Sequence, residues 1–335
     1  MILDALATVY NRHNLTREQA AAAMRVLMTG EAPAPVVAAF LIALHMKGET
    51  IDEISGFATT MREMATRVPA TRRPLIDTCG TGGDHSGTFN ISTTAAFVVA
   101  GAGVAVAKHG NRSASSKCGS ADVLEHLGVN LDADPEKVGQ LVDDIGIGFL
   151  FARALHGAMK HVGPIRQELR LRTVFNILGP LTNPAGATAQ VMGVYDRRWV
   201  EPLAHVLLNL GDERAFVVHG SDGLDELTLD GPTYVAELRD GVVHTYEIIP
   251  EDFGLEKTPS SAMAGGEAAE NAAILRSVLE GRPGPHRDIV LLNASAAIQA
   301  GGIASNWQEG IRAAAESIDS GEALRKLDAL VEGSK

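Results

Sequence analysis

The spacing of apolar residues changes character near residue 70. Before it, hydrophobic positions recur at helical intervals: Leu3, Leu6, Val9 and Tyr10 follow one stripe. Thr16 with Gln19, and Thr50 with Glu53, form capping-box patterns. The first opens a helix that stops near Gly30, and the second opens a helix over 54–65. Pro33 and Pro35 punctuate the interval, and the apolar run 36–46 ends before Gly48. The pattern predicts four short helices and no strand. They form either a separate module, suited to dimerisation or to acting as a lid, or a cap packed on the rest.

From Pro74 the pattern becomes strand, loop, helix. Short apolar runs at 74–76, 104–107, 147–151, 188–194, 215–219 and 289–292 read as strands. Helical runs follow at 92–102, 120–127, from Pro135 onward, 199–210 and 267–279. Residues 234–238 and 242–248, joined across Arg239-Asp240-Gly241, read as a hairpin. The chain is therefore expected to be α/β. A small all-helical N-terminal domain (1–68, with helices from about 156–185 as candidates to join it) precedes a large α/β domain (69–335). The latter should hold a mostly parallel central sheet flanked by helices, with ligands beyond the carboxyl ends of its strands.

Composition narrows the function. With 41 acidic against 29 basic residues the net charge is -12, which disfavours an extended polyanion-binding surface. A small phosphorylated substrate needs only a local basic cluster. Two cysteines, Cys79 and Cys118, are too few for a disulfide framework and fit reduced thiols in a cytoplasmic protein. No stretch reaches the roughly 20 apolar residues of a membrane span, and the N-terminus has no signal-peptide pattern.

Two loops carry the candidate chemistry. Residues 77–94 read DTCGTGGDHSGTFNISTT, with Gly80, Gly82, Gly83 and Gly87 between a strand and a helix start. That arrangement aims unpaired N–H groups and the positive end of a helix dipole at an anion. The spacing matches neither a P-loop nor a dinucleotide fingerprint, so taken alone it reads equally as a phosphate cradle or a tight turn. Residues 108–120, KHGNRSASSKCGS, follow the next strand and bring Lys108, His109, Arg112 and Lys117 among serines and Asn111. Two donor-rich loops at one sheet edge suit a ligand with phosphates at both ends. Asp225 and Glu226 follow the strand ending at His219 and form either an acidic turn or a Mg²⁺ site. The basic segment 156–172 offers Arg166, whose planar fork suits a carboxylate, or else a solvated helix face.

With CGTGGD, TFNIST, AKHGNRSASS, GSADVLE, FNILGPLTNP and DGLDE in this order, the chain resembles the anthranilate phosphoribosyltransferases of tryptophan biosynthesis. The likeness covers nearly the whole chain, including MTGE at 28–31 and KGET at 47–50; His85 and Gly157 are small departures from the pattern. It implies a small helical domain plus a large α/β domain, usually a homodimer through the helical part. The reaction it implies is transfer of phosphoribose from phosphoribosyl pyrophosphate (PRPP) to anthranilate, giving N-(5-phosphoribosyl)anthranilate and pyrophosphate. By that resemblance Gly80, Gly83, Asp84, Thr88, Asn90, Ile91, Ser92, Thr93, Lys108, His109, Gly110, Asn111, Arg112, Ser113, Ala114, Ser115, Ser116 and Ser120 surround PRPP. Gly80, Asn111 and Arg166 meet anthranilate. Ser92, Asp225 and Glu226 hold two Mg²⁺ ions. An aromatic amine is barely basic and attacks as its neutral form, so no general base is assigned. His109 is the nearest group for handling the proton afterwards, or is purely structural.

Two rivals share the fold by resemblance. A pyrimidine nucleoside phosphorylase would carry a different nucleobase signature in place of the KHGN loop and the DGLDE turn. A non-catalytic nucleic-acid-binding relative would favour a basic surface and lost metal residues. The expected partners are small molecules, with neither nucleic acid nor membrane.

Overall fold

The computed structural model describes residues 1–113 and 117–335. Four helices open the chain: α1 (Ile2–Tyr10), α2 (Arg17–Thr29), α3 (Ala34–Lys47) and α4 (Ile51–Met64). Both capping boxes form: Gln19 N donates to Thr16 Oγ1 at 3.2 Å while Thr16 N donates back to Gln19 Oε1 at 2.9 Å, and Thr50 and Glu53 do the same. Glu53 is fully buried and also accepts from Leu15 N and from the Lys47 ammonium, at 2.9 and 2.8 Å. The α1 stripe is split: Val9 is buried, but Leu3 and Tyr10 face outward, as does Met46 on α3.

The remainder runs β1 (Leu75–Asp77), α5 (Ile91–Gly101), β2 (Ala105–Gly110), α6 (Ser120–His126), α7 (Pro135–Ile145), β3 (Ile147–Phe151), α8 (Ala152–Leu155), α9 (Gly163–Leu169) and α10 (Phe175–Leu178). It continues with β4 (Ala189–Gly193), α11 (Val200–Asn209), β5 (Arg214–Gly220), β6 (Thr233–Arg239), β7 (Val242–Ile248), α12 (Ala268–Leu279), α13 (Pro285–Ala300), α14 (Trp307–Asp319) and α15 (Glu322–Gly333). The seven strands form one sheet in the order β3-β2-β1-β4-β5-β6-β7. The first five run parallel, and the hairpin β6–β7 adds two antiparallel strands at one edge. The fold is thus an N-terminal helical bundle plus a large α/β domain with a mostly parallel sheet flanked by helices.

On one face α5, α12, α13, α14 and α15 build the larger core, and α5 and α13 are buried nearly all round. On the other, α1–α4 share a core with Val162, Val174, Phe175, Leu178 and with α11 and the strand residues Met192 and Val217. The N-terminal helices therefore pack on the sheet domain through α11 as well as through the 156–185 segment.

Three expectations are corrected. Residues 289–292 lie inside α13, not in a strand. A helix buried on every side shows no polar face, so its Ile-Val-Leu-Leu run reads like a buried strand; Pro285 at the first turn starts the helix. Lys108, His109 and Gly110 belong to β2 and pair with Phe149, Leu150 and Phe151 of β3. Polar side chains make this end of the strand read as loop, although all six β2 residues are buried. The basic stretch 156–172 is not one helix: a 3-10 turn (Gly157–His161) leads into α9, which ends at Arg170 with φ +50°.

Candidate active site

Adjacent parallel strands β1 and β2 bring their carboxyl ends together, and the chain departs from both into polar loops. Asp77, the last residue of β1, is fully buried and acts as a staple. Its Oδ1 accepts from His109 N at 3.0 Å and its Oδ2 from Asn183 Nδ2 at 2.7 Å. Asn183 Nδ2 also reaches Ala107 O, so the segment after α10 is tied to both strand ends. Burial raises the Asp77 carboxyl to about 6, with nearby Lys108 pulling the other way.

The glycine loop after β1 is fixed at both ends. Thr81 N donates to Gly193 O, Tyr195 N to Thr81 Oγ1, and Gly82 N to Asp225 Oδ2 at 2.7 Å. At its far end Thr88 bridges Ala264, Gly265 N donates to Gly87 O, and Phe89 N to Met263 O. Gly82 and Gly83 have φ of +63° and +79°, a region that side chains with a Cβ rarely enter. Gly80 is needed for space instead: a Cβ there would stand 2.9 Å from Asp225 Oδ2. The loop delivers Ser92 to the start of α5, where Ser92 N donates to Glu226 Oε1 at 3.2 Å. Ile91 and Thr93 are buried at the start of α5, and the Ile91 N–H donates to Phe89 O at 2.8 Å.

Lys108 is 4% exposed. Its ammonium lies under the loop and donates to Thr78 O, Thr78 Oγ1 and Ser92 Oγ at 3.1, 3.2 and 3.4 Å. A buried ammonium is tolerated because acceptors surround it, and its charge also acts on Glu226. Burial pushes Glu226 up to about 7 against that charge, and burial with the neighbouring Asp84 and Glu226 charges raises Asp225 well above the carboxylate range. Asp84 Oδ2 is buried without a hydrogen-bond partner. Three carboxylates with raised pKa values or an orphaned oxygen, and the Ser92 hydroxyl, form an oxygen-rich donor set that fits a hard divalent cation. The sequence pattern assigns Asp84 to the phosphoribosyl donor alone; its placement beside Asp225 adds the cation side.

The second loop is organised by Asp122, whose Oδ2 accepts from Ser113 N and Gly119 N. Asn111 N donates to Ser120 Oγ at 3.2 Å, which brings Asn111 and Ser120 together at the mouth. The Arg112 guanidinium bonds Asp122 and Glu125, at 2.7 to 3.0 Å. Asn90 links the two loops, donating to Cys118 O and accepting from Asn271 Nδ2. Ala114, Ser115 and Ser116 lie outside the described residues.

On the helical side, His109 Nε2 meets His156 Nε2 at 3.2 Å, and the Nδ1 of each ring is buried without a hydrogen-bond partner. Burial, then the adjacent His156, pushes His109 down to about 3; burial holds His156 at about 4. Both rings are neutral at pH 7, which makes His109 a weak proton acceptor. Arg166 is half-buried, lies over the Phe175 ring at 5.2 Å, and makes no ion pair among the described residues. Burial lowers its pKa, as expected for a cation without a counter-ion. Sequence reasoning missed His156, Asn183, Tyr195 and Arg172 at the site's edge. The sequence marks His156 and Arg172 only as parts of the basic segment 156–172 and Asn183 only as part of FNILGPLTNP, and it marks Tyr195 by nothing. A cavity of about 310 Å³ lined by Arg214, Phe216, Leu238, Gln299 and Ile303 lies at the opposite, starting end of β5.

Comparisons with known proteins agree with this architecture. Residues 72–324 match the glycosyl transferase family α/β domain and residues 3–65 its helical bundle domain. The anthranilate phosphoribosyltransferase of Symbiobacterium thermophilum is 60% identical over 327 residues, 98% of this chain and 96% of that protein. The crystal structure of the Thermus thermophilus anthranilate phosphoribosyltransferase superposes with a TM-score of 0.95 at 48% identity, covering 99% of each chain. The Saccharomyces cerevisiae enzyme, solved in complex with PRPP and Mg, gives a TM-score of 0.91 at 30% identity, covering 99% of this chain and 97% of that one. With this identity along its length and this site at the ends of its strands, the chain belongs to the anthranilate phosphoribosyltransferase family of glycosyl transferases.

Proposed function

We propose that this protein transfers the phosphoribosyl group of PRPP to anthranilate, forming N-(5-phosphoribosyl)anthranilate and pyrophosphate in tryptophan biosynthesis. The observation that carries it is the meeting of buried Lys108 with the partly buried Asp225 and Glu226 at the glycine loop and the α5 start, together with an Arg166 that makes no ion pair among the described residues. The glycine loop from Gly80 to Thr88, the α5 start from Asn90 to Thr93, and the second loop from Lys108 to Ser120 are the donor side. Arg166, Asn111 and Gly80 are the acceptor side.

Ser92, Asp225 and Glu226, with Asp84 beside them, would hold Mg²⁺, and two ions per subunit fit this number of oxygens. Bound there, the cation supplies charge that stabilises a leaving pyrophosphate. The chain's own residues do the rest. Backbone N–H groups of the glycine loop and α5 receive anionic oxygens. Arg166 orients the acceptor carboxylate so that the amine faces the ribose C1. Heterolysis leaves positive charge on the ribose, and the neutral amine attacks without prior deprotonation. Neutral His109 is left as an orienting group rather than a strong base.

The protein is further proposed to be a cytoplasmic homodimer, divided near residue 68, with Leu3, Tyr10 and Met46 of the helical module as the exposed apolar face that a second copy would cover. Among the described residues no helix is long and apolar enough to cross a membrane. The activity is tested by pyrophosphate release from PRPP and Mg²⁺: release should require anthranilate and match product one to one. Phosphate-dependent cleavage of a pyrimidine nucleoside instead, or oligonucleotide binding without turnover, would assign the site to one of the rival readings.

A further inference from the structure

Arg172 follows α9 and is exposed, the setting of an ordinary solvated arginine. Its contacts are not ordinary. The guanidinium lies 3.9 Å from the centre of the Tyr195 ring and donates from Nη2 to Gly83 O at 2.6 Å. Gly83 is at the crest of the glycine loop, one residue beyond the Gly82 N–H held by Asp225. Apart from the approach of Asp84 to Asp225, the described bonds from 83–86 to residues outside the loop come from Arg172. The crest is thus held by one cation from the helical side.

Arg166 and Arg172 stand on the same short segment. Ile165 and Leu169, beside and between them, pack into the core shared with α1–α4, and α9 lies against α3. A shift of α9 that brings Arg166 onto a carboxylate therefore also moves the base of Arg172. Stacking on Tyr195 fixes the plane of the fork, so that its remaining N–H groups stay directed at the loop.

We propose that Arg172 is a positioning residue that closes the glycine loop over PRPP and couples carboxylate capture at Arg166 to that closure. The proposal rests on the functional reading above and goes beyond it. The tests are turnover of the wild type, and calorimetric PRPP affinity with Mg²⁺, with and without saturating benzoate, which offers Arg166 a carboxylate but no nucleophile.

In the wild type, benzoate should tighten PRPP binding by about 5-fold or more, within the usual range of coupling between sites. Arg172→Ala should weaken PRPP binding about 10-fold and bring the benzoate effect close to 1. Arg172→Lys should recover only part of both, because an ammonium cannot stack and fork together, whereas Tyr195→Phe should keep both. Arg166→Ala should lose the benzoate effect and keep the benzoate-free PRPP affinity. A merely structural arginine would change stability and leave the benzoate ratio alone. An unchanged ratio in Arg172→Ala, or no benzoate effect in the wild type, overturns the coupling. Absence of wild-type turnover with PRPP bound and coupled would instead overturn the functional reading and leave the Arg172 coupling standing.

Discussion

The backbone of Asp225 crosses the end of β4 through the space that a side chain on Gly193 would occupy, with the Asp225 carbonyl nearest. The carboxylate turn and the sheet therefore touch without any intervening atom. Gly193→Ala should push Asp225 and Glu226 away from the glycine loop. Overpacking of this kind costs about 1–3 kcal/mol, and displacement of a reacting group by about 1 Å costs about 100-fold in rate. Thermal unfolding and kcat/KM check this; a fully active Ala variant would mean that the turn can move freely.

The half-buried Arg166 has a ring beneath it and no carboxylate paired with it among the described residues. Arg166→Ala should raise the anthranilate KM roughly 10- to 100-fold, the worth of a charged hydrogen-bonded contact, with little change in the PRPP KM. Steady-state kinetics with each substrate varied in turn decide the point. An unchanged anthranilate KM removes Arg166 from the site.

How much of this the sequence carries depends on the range of the interactions. The caps at Thr16 and Thr50 are legible because each is closed by a residue three positions on. The glycine loop and the Asp225–Glu226 turn are visible as motifs, but Gly82 and Asp225 are 143 residues apart and local pattern does not show that they bond. Lys108 reads as a basic residue near phosphate and falls in an apparent loop, because a buried lysine at a strand end carries no hydrophobic signal. Residues 289–292 mislead for the opposite reason: burial all round α13 erases the polar face that identifies a helix. The resemblance supplies roles that spacing alone leaves open, yet it assigns nothing to His156, Tyr195 or Arg172.

Asp225 and Glu226 hold raised pKa values through burial first, with the neighbouring Asp84 charge adding to both, a condition that a divalent cation relieves. Asp225→Asn and Glu226→Gln should each weaken Mg²⁺-dependent PRPP binding, by about 10-fold or more, as for loss of a charged ligand contact. Titration of PRPP at graded Mg²⁺ measures it. Normal activity with a normal Mg²⁺ response in both variants would reduce the pair to a turn.

The buried pair His109 and His156 is neutral in the native protein, with both rings pushed below the ordinary histidine value of about 6.5. The unfolded chain then binds more protons than the native one from about 6.5 down to about 3, so stability is full above that window and falls as pH drops through it. For His156 alone the loss by pH 5 is on the order of 2 kcal/mol. Urea unfolding at pH 8 and pH 5 should show the drop, and His156→Gln should shrink it. An equal drop in the variant would assign the acid sensitivity elsewhere.

Glu53 and Lys47 form a buried ion pair at 2.8 Å, with Leu15 and Thr50 completing the carboxylate's partners. Glu53→Gln leaves the ammonium buried without its counter-charge, a change worth about 3–5 kcal/mol. The melting temperature should fall clearly, while the substrate KM values of the remaining folded enzyme stay near wild type. A shift of the KM values at unchanged stability would contradict this structural role.

The most direct test of the central claim is the fluorescence of anthranilate followed in the presence of the purified protein, PRPP and Mg²⁺. The account predicts a time-dependent loss of fluorescence that needs all three, slows in Asp225→Asn, and demands far more anthranilate in Arg166→Ala. A steady signal with the folded protein and both substrates in excess would contradict it.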